Sequence, residues 1–407
     1  MRTIFEAVGL IDGVGETARD GMDVVVDGDR IAAVVPHGAS VPAPPPQTGA
    51  GDPPQTVVDG RGRTLLPGLI DAHAHYTFDP TEGSIAAIAR RSDAEIVLAA
   101  AGHAARALRA GVTTARGAGS IRNLELVLRD AIAAGQVPGP RLVAAGSAIG
   151  ITGGHGHRFG IEADGEAELV RAVGRQFRDG ADVVKIVASE AAMLTTTGLA
   201  PGAMVHGDAE LTEAEIAAIV AEAHGLGVRV MSHAQGSVSV IASARGGADS
   251  VEHAWLADRA AIEALAASGA FLVPTLVVTD VNRALPGLTP IQRERQDLIE
   301  RTHRASCEAA IELGVPLATG TDTGEVGVTS DMVWREIVLL HDHGASPMAA
   351  IRAATSAAAR LLGLDKEVGT VVPGHRADLI LVDGDPLDDL RSLASPRLVM
   401  QAGRVVA

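Results

Sequence analysis

The hydrophobic pattern changes texture twice along the chain. Residues 1 to 66 alternate short apolar runs with Gly/Asp turns, and both MDVVVDGDRIAAVVP and QTVVDGRGRTLLPG carry a DG hairpin signal. Between them PHGASVPAPPPQTGAGDPP has no apolar period and reads as an exposed loop. From Leu66 short apolar runs alternate with long Ala-rich amphipathic stretches, the texture of βα units around a parallel sheet. Eight runs stand out: LIDAHAH (69–75), VTTARG (112–117), RLVAAGS (141–147), DVVKIVAS (182–189), VRVMSHA (228–234), SVEHAW (250–255), FLVPTL (271–276) and PLATGTD (316–322). Several follow a helical pattern that ends in glycine, where a left-handed C-cap belongs. Thr212 and Glu215 have the spacing of a capping box ahead of IAAIVAEAHGLG. After Asp322 come two more helical stretches, and then KEVGTVVPGHRADLILVDGDP and RLVMQAGRVVA return to β-type alternation.

This pattern predicts an α/β chain in three pieces. Residues 67–364 form a (β/α)8 TIM barrel, whose active site belongs at the C-terminal ends of its strands. Residues 1–66 and 365–407 pair beside it as a small β-sandwich. Composition fits a globular chain, with 47 % hydrophobic and 21 % charged residues. A net charge of −16 argues against nucleic acid or anionic membrane as a general partner; the partner expected from the motifs below is a small-molecule substrate. Cys307, the single cysteine, can form no internal disulfide and reads as a buried inert thiol. The N-terminus lacks a sustained apolar stretch, and no later segment holds about 20 uninterrupted apolar residues, so a soluble, cytoplasmic protein is expected.

Candidate chemistry begins with His-x-His, since residues i and i+2 of a strand project to one face and can share an ion. With 14 histidines, chance supplies roughly half of one such pair, and the chain has three. His341 and His343 fall in a helical pattern, where i and i+2 diverge. His155 and His157 fall in the glycine-rich segment GITGGHGHRFG, better suited to substrate contact than to rigid ligation. His73 and His75 alone end an apolar strand. Lys185 interrupts the apolar run DVVKIVAS, where lysine is rarely buried without a reason. It is either a snorkelling strand-end residue or an amine whose lowered pKa lets it add carbon dioxide and become an anionic, metal-bridging carbamate. His233, His253 and Asp322 each end an apolar run. The six side chains thus fall at the expected C-terminal ends of strands 1, 4, 5, 6 and 8, which converge on one mouth.

PGLIDAHAH, the strand-end Lys185, SHA, EHA and GTD, in this order, resemble the binuclear amidohydrolase superfamily, as does the closing segment GTVVPGHRADLILVDGDP. The GGHG loop and AEAHGLGVRV resemble its imidazolonepropionase-related branch, which includes Xaa-Pro dipeptidases. The resemblance implies two divalent cations, Zn2+ first among them. His73, His75 and Asp322 would hold one, His233 and His253 the other, with N6-carboxylysine at Lys185 between them. It also implies a homo-oligomer and amide hydrolysis. The cations would lower the pKa of an attacking water, Asp322 would act as the proton carrier, and His155 would help stabilise the oxyanion. Related deaminases carry a glutamate three positions beyond the strand-5 histidine, where this chain has Gly236.

For the substrate, Tyr76, Phe78, Phe159 and Trp255 follow strand ends and are candidates to line the pocket, while Arg116, read as lying beyond strand 2, and His155, His157 and Arg158, beyond strand 3, are candidates to receive a carboxylate. The resemblance implies a dipeptide or N-acyl amino acid with a free carboxylate. Two departures, GGHGH where relatives read GGHGD and no tyrosine before the helix that follows Leu211, leave lactams, other cyclic amides and xenobiotic amides open.

Overall fold

The computed structural model describes residues 1–41, 55–81, 85–190 and 209–407, without the side chains of residues 85, 86 and 158. The proline-rich loop is therefore largely outside the described residues.

The DG signal at Asp27-Gly28 forms the hairpin the sequence predicts: Arg19–Asp27 and Arg30–Pro36 pair antiparallel, with Gly28 at a φ of +64° that an L side chain would resist. Arg2–Leu10 lies against Arg19–Asp27 on one side and against both Gln55–Asp59 and Arg63–Pro67 on the other. Arg63–Pro67 then pairs antiparallel with Leu379–Asp383, which joins Leu398–Gln401 and Arg404–Val405. Both ends of the chain thus meet, as expected. They meet in one branched eight-stranded sheet rather than in two separate ones, because Arg2–Leu10 serves two partners along a single edge. Phe5, Val8, Val24, Ile31, Leu65, Leu379 and Met400 form its buried core.

Seven of the eight predicted inner runs form parallel strands. Leu69–Ala74, Val112–Gly117 and Arg141–Ala144 make one sheet. Val183–Val187, Arg229–Gly236, Ser250–Leu256 and Phe271–Val273 make a second, extended by the short pieces Ile149–Gly150 and Ile161–Glu162. One backbone bond, Asp182 N–H to Ala144 O at 2.8 Å, joins the facing edges. The eighth run, 316–322, forms no strand but bonds to both flanking strands, with Ala318 N–H on Leu272 O, Ala72 N–H on Thr319 O and Asp322 N–H on His73 O. Among the described residues no continuous ladder runs through all eight.

Alternation along the strands sorts the side chains. Val184, Ile186, Val230 and Ala234 pack outward against helices that include Glu166–Asp179 and Glu213–Gly225. Val183 and Met231 meet Ala118 and Ala145 on the opposite, inner face. Lys185 and His233, two residues further along each strand, share that inner face. The helix Glu166–Asp179 shows why the outer layer holds: Leu169, Ala172, Val173 and Gln176 recur at helical spacing and are buried, and Gly180 at φ +96° ends the helix. The capping box read from the sequence is present, with Thr212 N–H on Glu215 Oε2 at 2.9 Å and Glu215 N–H returning to Thr212 Oγ1 at 3.3 Å. Among the described residues no helix is long and apolar enough to cross a membrane.

Candidate metal centre

His73, His75, Lys185, His233, His253 and Asp322 are all buried and gather at one end of the inner strands. Asp322 Oδ1 stands 3.3 Å from His73 Nε2 and 3.4 Å from His75 Nε2, and its Oδ2 stands 3.9 Å from His253 Nδ1. The imidazole of His253 lies 4.9 Å, centroid to centroid, from that of His73 and 4.6 Å from that of His233. Ligand atoms of His73, His253 and Asp322 fall within 4.8 Å of one another.

Local backbone makes this convergence possible. Glu252 and His253 are adjacent in a strand and would ordinarily face opposite ways. His253 and Ala254 instead take φ of +77° and +53°, and the pairing with Arg229–Gly236 shifts register at this point. Thr275 and Asp322 also adopt positive φ. Each such residue costs on the order of 1–3 kcal/mol, a strain that clusters at functional sites. Asp71 fixes the eighth run against the first strand, accepting from Thr321 Oγ1 at 2.6 Å and from Thr321 N–H at 3.0 Å. Gly320 has no room for a side chain, since a Cβ there would meet Val273 Cγ1 at 2.4 Å and His73 Cβ at 2.6 Å.

The donor set suits divalent cations. His75 Nδ1 lies 2.8 Å from the Gly119 carbonyl, which can only accept, so Nδ1 carries the proton. Burial lowers the His75 pKa to about 3, so the ring is neutral and its Nε2 lone pair faces a carboxylate oxygen, an arrangement that calls for a positive charge between them. Burial likewise holds His233 and His253 well below the usual imidazole range. Among the described residues Lys185 Nζ and His233 Nε2 are buried with no hydrogen-bond partner, which ordinary folding would not tolerate. Burial also lowers the Lys185 ammonium to about 8, against the opposing pull of Glu252 and Asp322, which makes the neutral amine accessible for carboxylation. Burial opposes ionisation of Asp322, but His73, His75 and Lys185 outweigh it and bring its pKa to about 2.

Around this core the other expected residues divide. His155 belongs to a short 3-10 turn, His155–Arg158, and its ring stacks 4.9 Å from that of His233. Its pKa is lowered to about 4, by burial first and then by Lys185. Glu210 Oε1 holds the turn by accepting His155 N–H at 2.8 Å. His157 is exposed, with Nδ1 2.7 Å from Gly154 O, and the Arg158 side chain lies outside the described residues. Phe78 stacks on His75 at 4.5 Å and meets Phe159 edge-on at 5.7 Å. Trp255 lies 5.4 Å from His253, and its Nε1 donates to Thr275 Oγ1 at 3.2 Å.

Two expected substrate contacts face elsewhere. Tyr76 points outward into the hydrophobic cluster that contains Ala100, Ala104 and Leu276, because the chain turns directly after the strand Leu69–Ala74. Arg116 sits inside its strand rather than beyond it, fully buried, with its guanidinium bonded to Ala72 O, Ser250 Oγ and Glu252 Oε1. It has no reach toward a carboxylate at the mouth. Sequence reasoning missed Glu252, whose Oε2 lies 2.7 Å from His73 Nδ1, although a charge interrupting SVEHAW is the same signal that marked Lys185. It also missed Thr275, whose Oγ1 lies 2.9 Å from His253 Nδ1.

Glu336, on the helix Val333–Asp342, steadies the Thr275 turn by accepting Leu276 N–H at 2.9 Å and Val277 N–H at 2.8 Å. Burial pushes its carboxyl from 4.5 up to about 8. A carboxyl raised on folding contributes stability that is complete below about 4.5 and is lost as pH rises through about 8. The Glu336 share of the stability is therefore expected to fall with rising pH in that window, by up to ~1.4 kcal/mol per pH unit for one proton, while histidines buried with lowered pKa values, His75, His155, His233 and His253, act the other way below about 6.5. Glu336→Gln should remove that share alone, so that the difference in stability between the two proteins changes with pH, and leave the like contributions of Glu125 and Glu325, which burial also pushes up to about 8. Urea unfolding of both proteins from pH 5 to 8 checks this, and parallel slopes would contradict it.

The amidohydrolase family model matches residues 64–406. The chain belongs to the amidohydrolase family. This amidohydrolase is 28 % identical to ochratoxinase from Aspergillus niger, over 98 % of its own length and 84 % of the relative's. It is 29 % identical to imidazolonepropionase from Rubrobacter xylanophilus, over 88 % and 84 % of the two chains. A solved Xaa-Pro dipeptidase with bound methionine in the active site superposes with a TM-score of 0.85 at 28 % identity, covering 100 % of the amidohydrolase and 99 % of that chain. These likenesses imply a TIM-barrel fold and make the amidohydrolase a metal-dependent hydrolase acting on carbon–nitrogen bonds.

Proposed function

We propose that this amidohydrolase is a binuclear zinc enzyme on a closed (β/α)8 barrel that cleaves the amide bond of a dipeptide or N-acyl amino acid with a free carboxylate. Residues 67–364 supply the barrel, residues 1–66 and 365–407 the terminal β-structure. The observation that carries the reading is the pair of buried nitrogens without a partner among the described residues, Lys185 Nζ and His233 Nε2, beside histidines whose opposite nitrogens are tied back. His73, His75 and Asp322 would hold one cation and His233 and His253 the other, with a carboxylated Lys185 available to both. When bound, the cations supply an acidified water and a Lewis acid for the carbonyl.

The chain's own residues do the rest. Asp322 takes the proton of the attacking water and returns it to the departing amine. His155, neutral and stacked on His233, donates an N–H to the developing oxyanion. Phe78, Phe159 and Trp255 keep water from the acyl side, and His155, His157 and Arg158 receive the carboxylate. The dipeptidase neighbour supports this substrate class. A cytoplasmic homo-oligomer belongs to the same reading.

The test is a screen of zinc-loaded protein against Xaa-Pro and other dipeptides, N-acyl amino acids, their carboxamide counterparts, and lactams. Turnover of free acids with loss on amidation is expected. Turnover confined to lactams would defeat the carboxylate reading.

A further inference from the structure

We infer that Arg116 and Glu252 form a buried positioning pair that locks the His73 imidazole with Nε2 toward Asp322 and so sets how tightly the His73 cation is held. The inference rests on the two-metal reading above and concerns residues outside its ligand set.

Three strands meet in this pair. Arg116 comes from Val112–Gly117, Glu252 from Ser250–Leu256 and His73 from Leu69–Ala74. The Arg116 guanidinium donates from Nε to Ala72 O at 2.6 Å, from Nη1 to Ser250 Oγ at 3.1 Å and from Nη2 to Glu252 Oε1 at 2.9 Å. Ser250 Oγ donates to the same Oε1. The other carboxylate oxygen, Oε2, lies 2.7 Å from His73 Nδ1. Arg116 thus grips the main chain beside His73 while Glu252 grips its ring, so the ligand is fixed in both position and rotation.

A fully buried ion pair is a poor way to stabilise a fold, because desolvating two charges offsets most of their attraction and apolar residues of similar size often do as well. Its presence inside the ring of strands asks for another purpose. Glu252 and His253 face inward together only through the left-handed backbone at His253 and Ala254, so the chain accepts strain to deliver the carboxylate. The other tied-back histidines rest on neutral acceptors, His75 on the Gly119 carbonyl and His253 on the Thr275 hydroxyl. A carboxylate behind an imidazole fixes its tautomer and raises its basicity toward a metal. His73 is therefore the strongest donor of the set, and its cation is the tighter of the two.

The test measures zinc binding to metal-depleted protein by competition with a chromophoric chelator, alongside urea unfolding of the same metal-free samples. Glu252→Gln should weaken the tighter equilibrium about 10- to 100-fold, the usual cost of losing such a partner, and leave the weaker one nearly unchanged. If Glu252→Gln does not fold, Arg116→Lys carries the test: it keeps the charge, cannot make all three contacts, and should weaken the tighter site about 10-fold. A pair that served the fold alone would shift the urea midpoint of the metal-free protein and leave zinc affinity as it was, which overturns the inference. Wild-type protein that binds no zinc overturns the two-metal reading and the inference with it. Wild-type binding with unchanged affinity in the folded variant overturns the inference alone.

Discussion

Replacing Lys185 with alanine is expected to abolish turnover and to strip the protein of much of its metal. Lys185 sits in the middle of Val183–Val187, buried on the inner face where Val183 and Met231 form the floor below it, and its Nζ has no partner among the described residues. A fold with no use for an amine there would place an apolar residue, since an unpaired buried amine costs several kcal/mol or titrates to neutrality. On the two-metal proposal, removing Lys185 should drop metal content from about two ions per chain toward one or none. Water then loses an acidification that spans pKa values from about 15.7 to about 7, and turnover should fall by roughly 10⁴-fold or more. Elemental analysis beside turnover on the best substrate from the screen checks both halves. Full metal content with full activity would remove Lys185 from the site.

Asp322→Asn separates chemistry from assembly. The asparagine oxygen can still face His73 and His75, which lie 3.3 and 3.4 Å from Oδ1, so metal should be largely retained. The amide cannot carry a proton, and turnover should drop by about 10²–10⁴-fold, the usual share of general acid–base catalysis. Retained metal with lost turnover therefore marks Asp322 as the proton carrier, whereas loss of both in step with Lys185→Ala would make it a ligand alone.

The gathering of His73, His75, Lys185, His233, His253 and Asp322 was legible because each interrupts or ends an apolar run, and the βα repeat puts those ends on one rim. What lay beneath the rim was harder to read. Arg116 and Glu252 also interrupt apolar runs, yet periodicity alone does not say how far a strand continues, and Arg116 was placed past the end of a strand that runs on to Gly117. Glu252 was hidden by alternation, which gives the inward face to His253 or to Glu252 but not to both, and the left-handed step that admits both has no marker in EHAW. Tyr76 misled for the opposite reason: the strand stops at Ala74, and the turn that follows sends its side chain toward the helices. The eighth run had the composition of a strand but carries TGTD, where side-chain bonds from Thr321 to Asp71 replace part of the ladder.

The pairing of the two chain ends has a bearing on how the molecule comes to be folded. Arg63–Pro67 finds its last partner in Leu379–Asp383, and the bond from Thr64 Oγ1 to Gly384 O, 2.7 Å long, joins residues 320 positions apart. Such distant pairing is paid for in loop entropy before it returns any stability, which slows folding. On the ribosome, one edge of Arg63–Pro67 must wait with open N–H and C=O groups until Leu379–Asp383 has been made. That waiting edge is a template for pairing with a neighbouring chain. The interval between the making of Arg63–Pro67 and that of Leu379–Asp383 is thus the period in which this edge is open to such pairing.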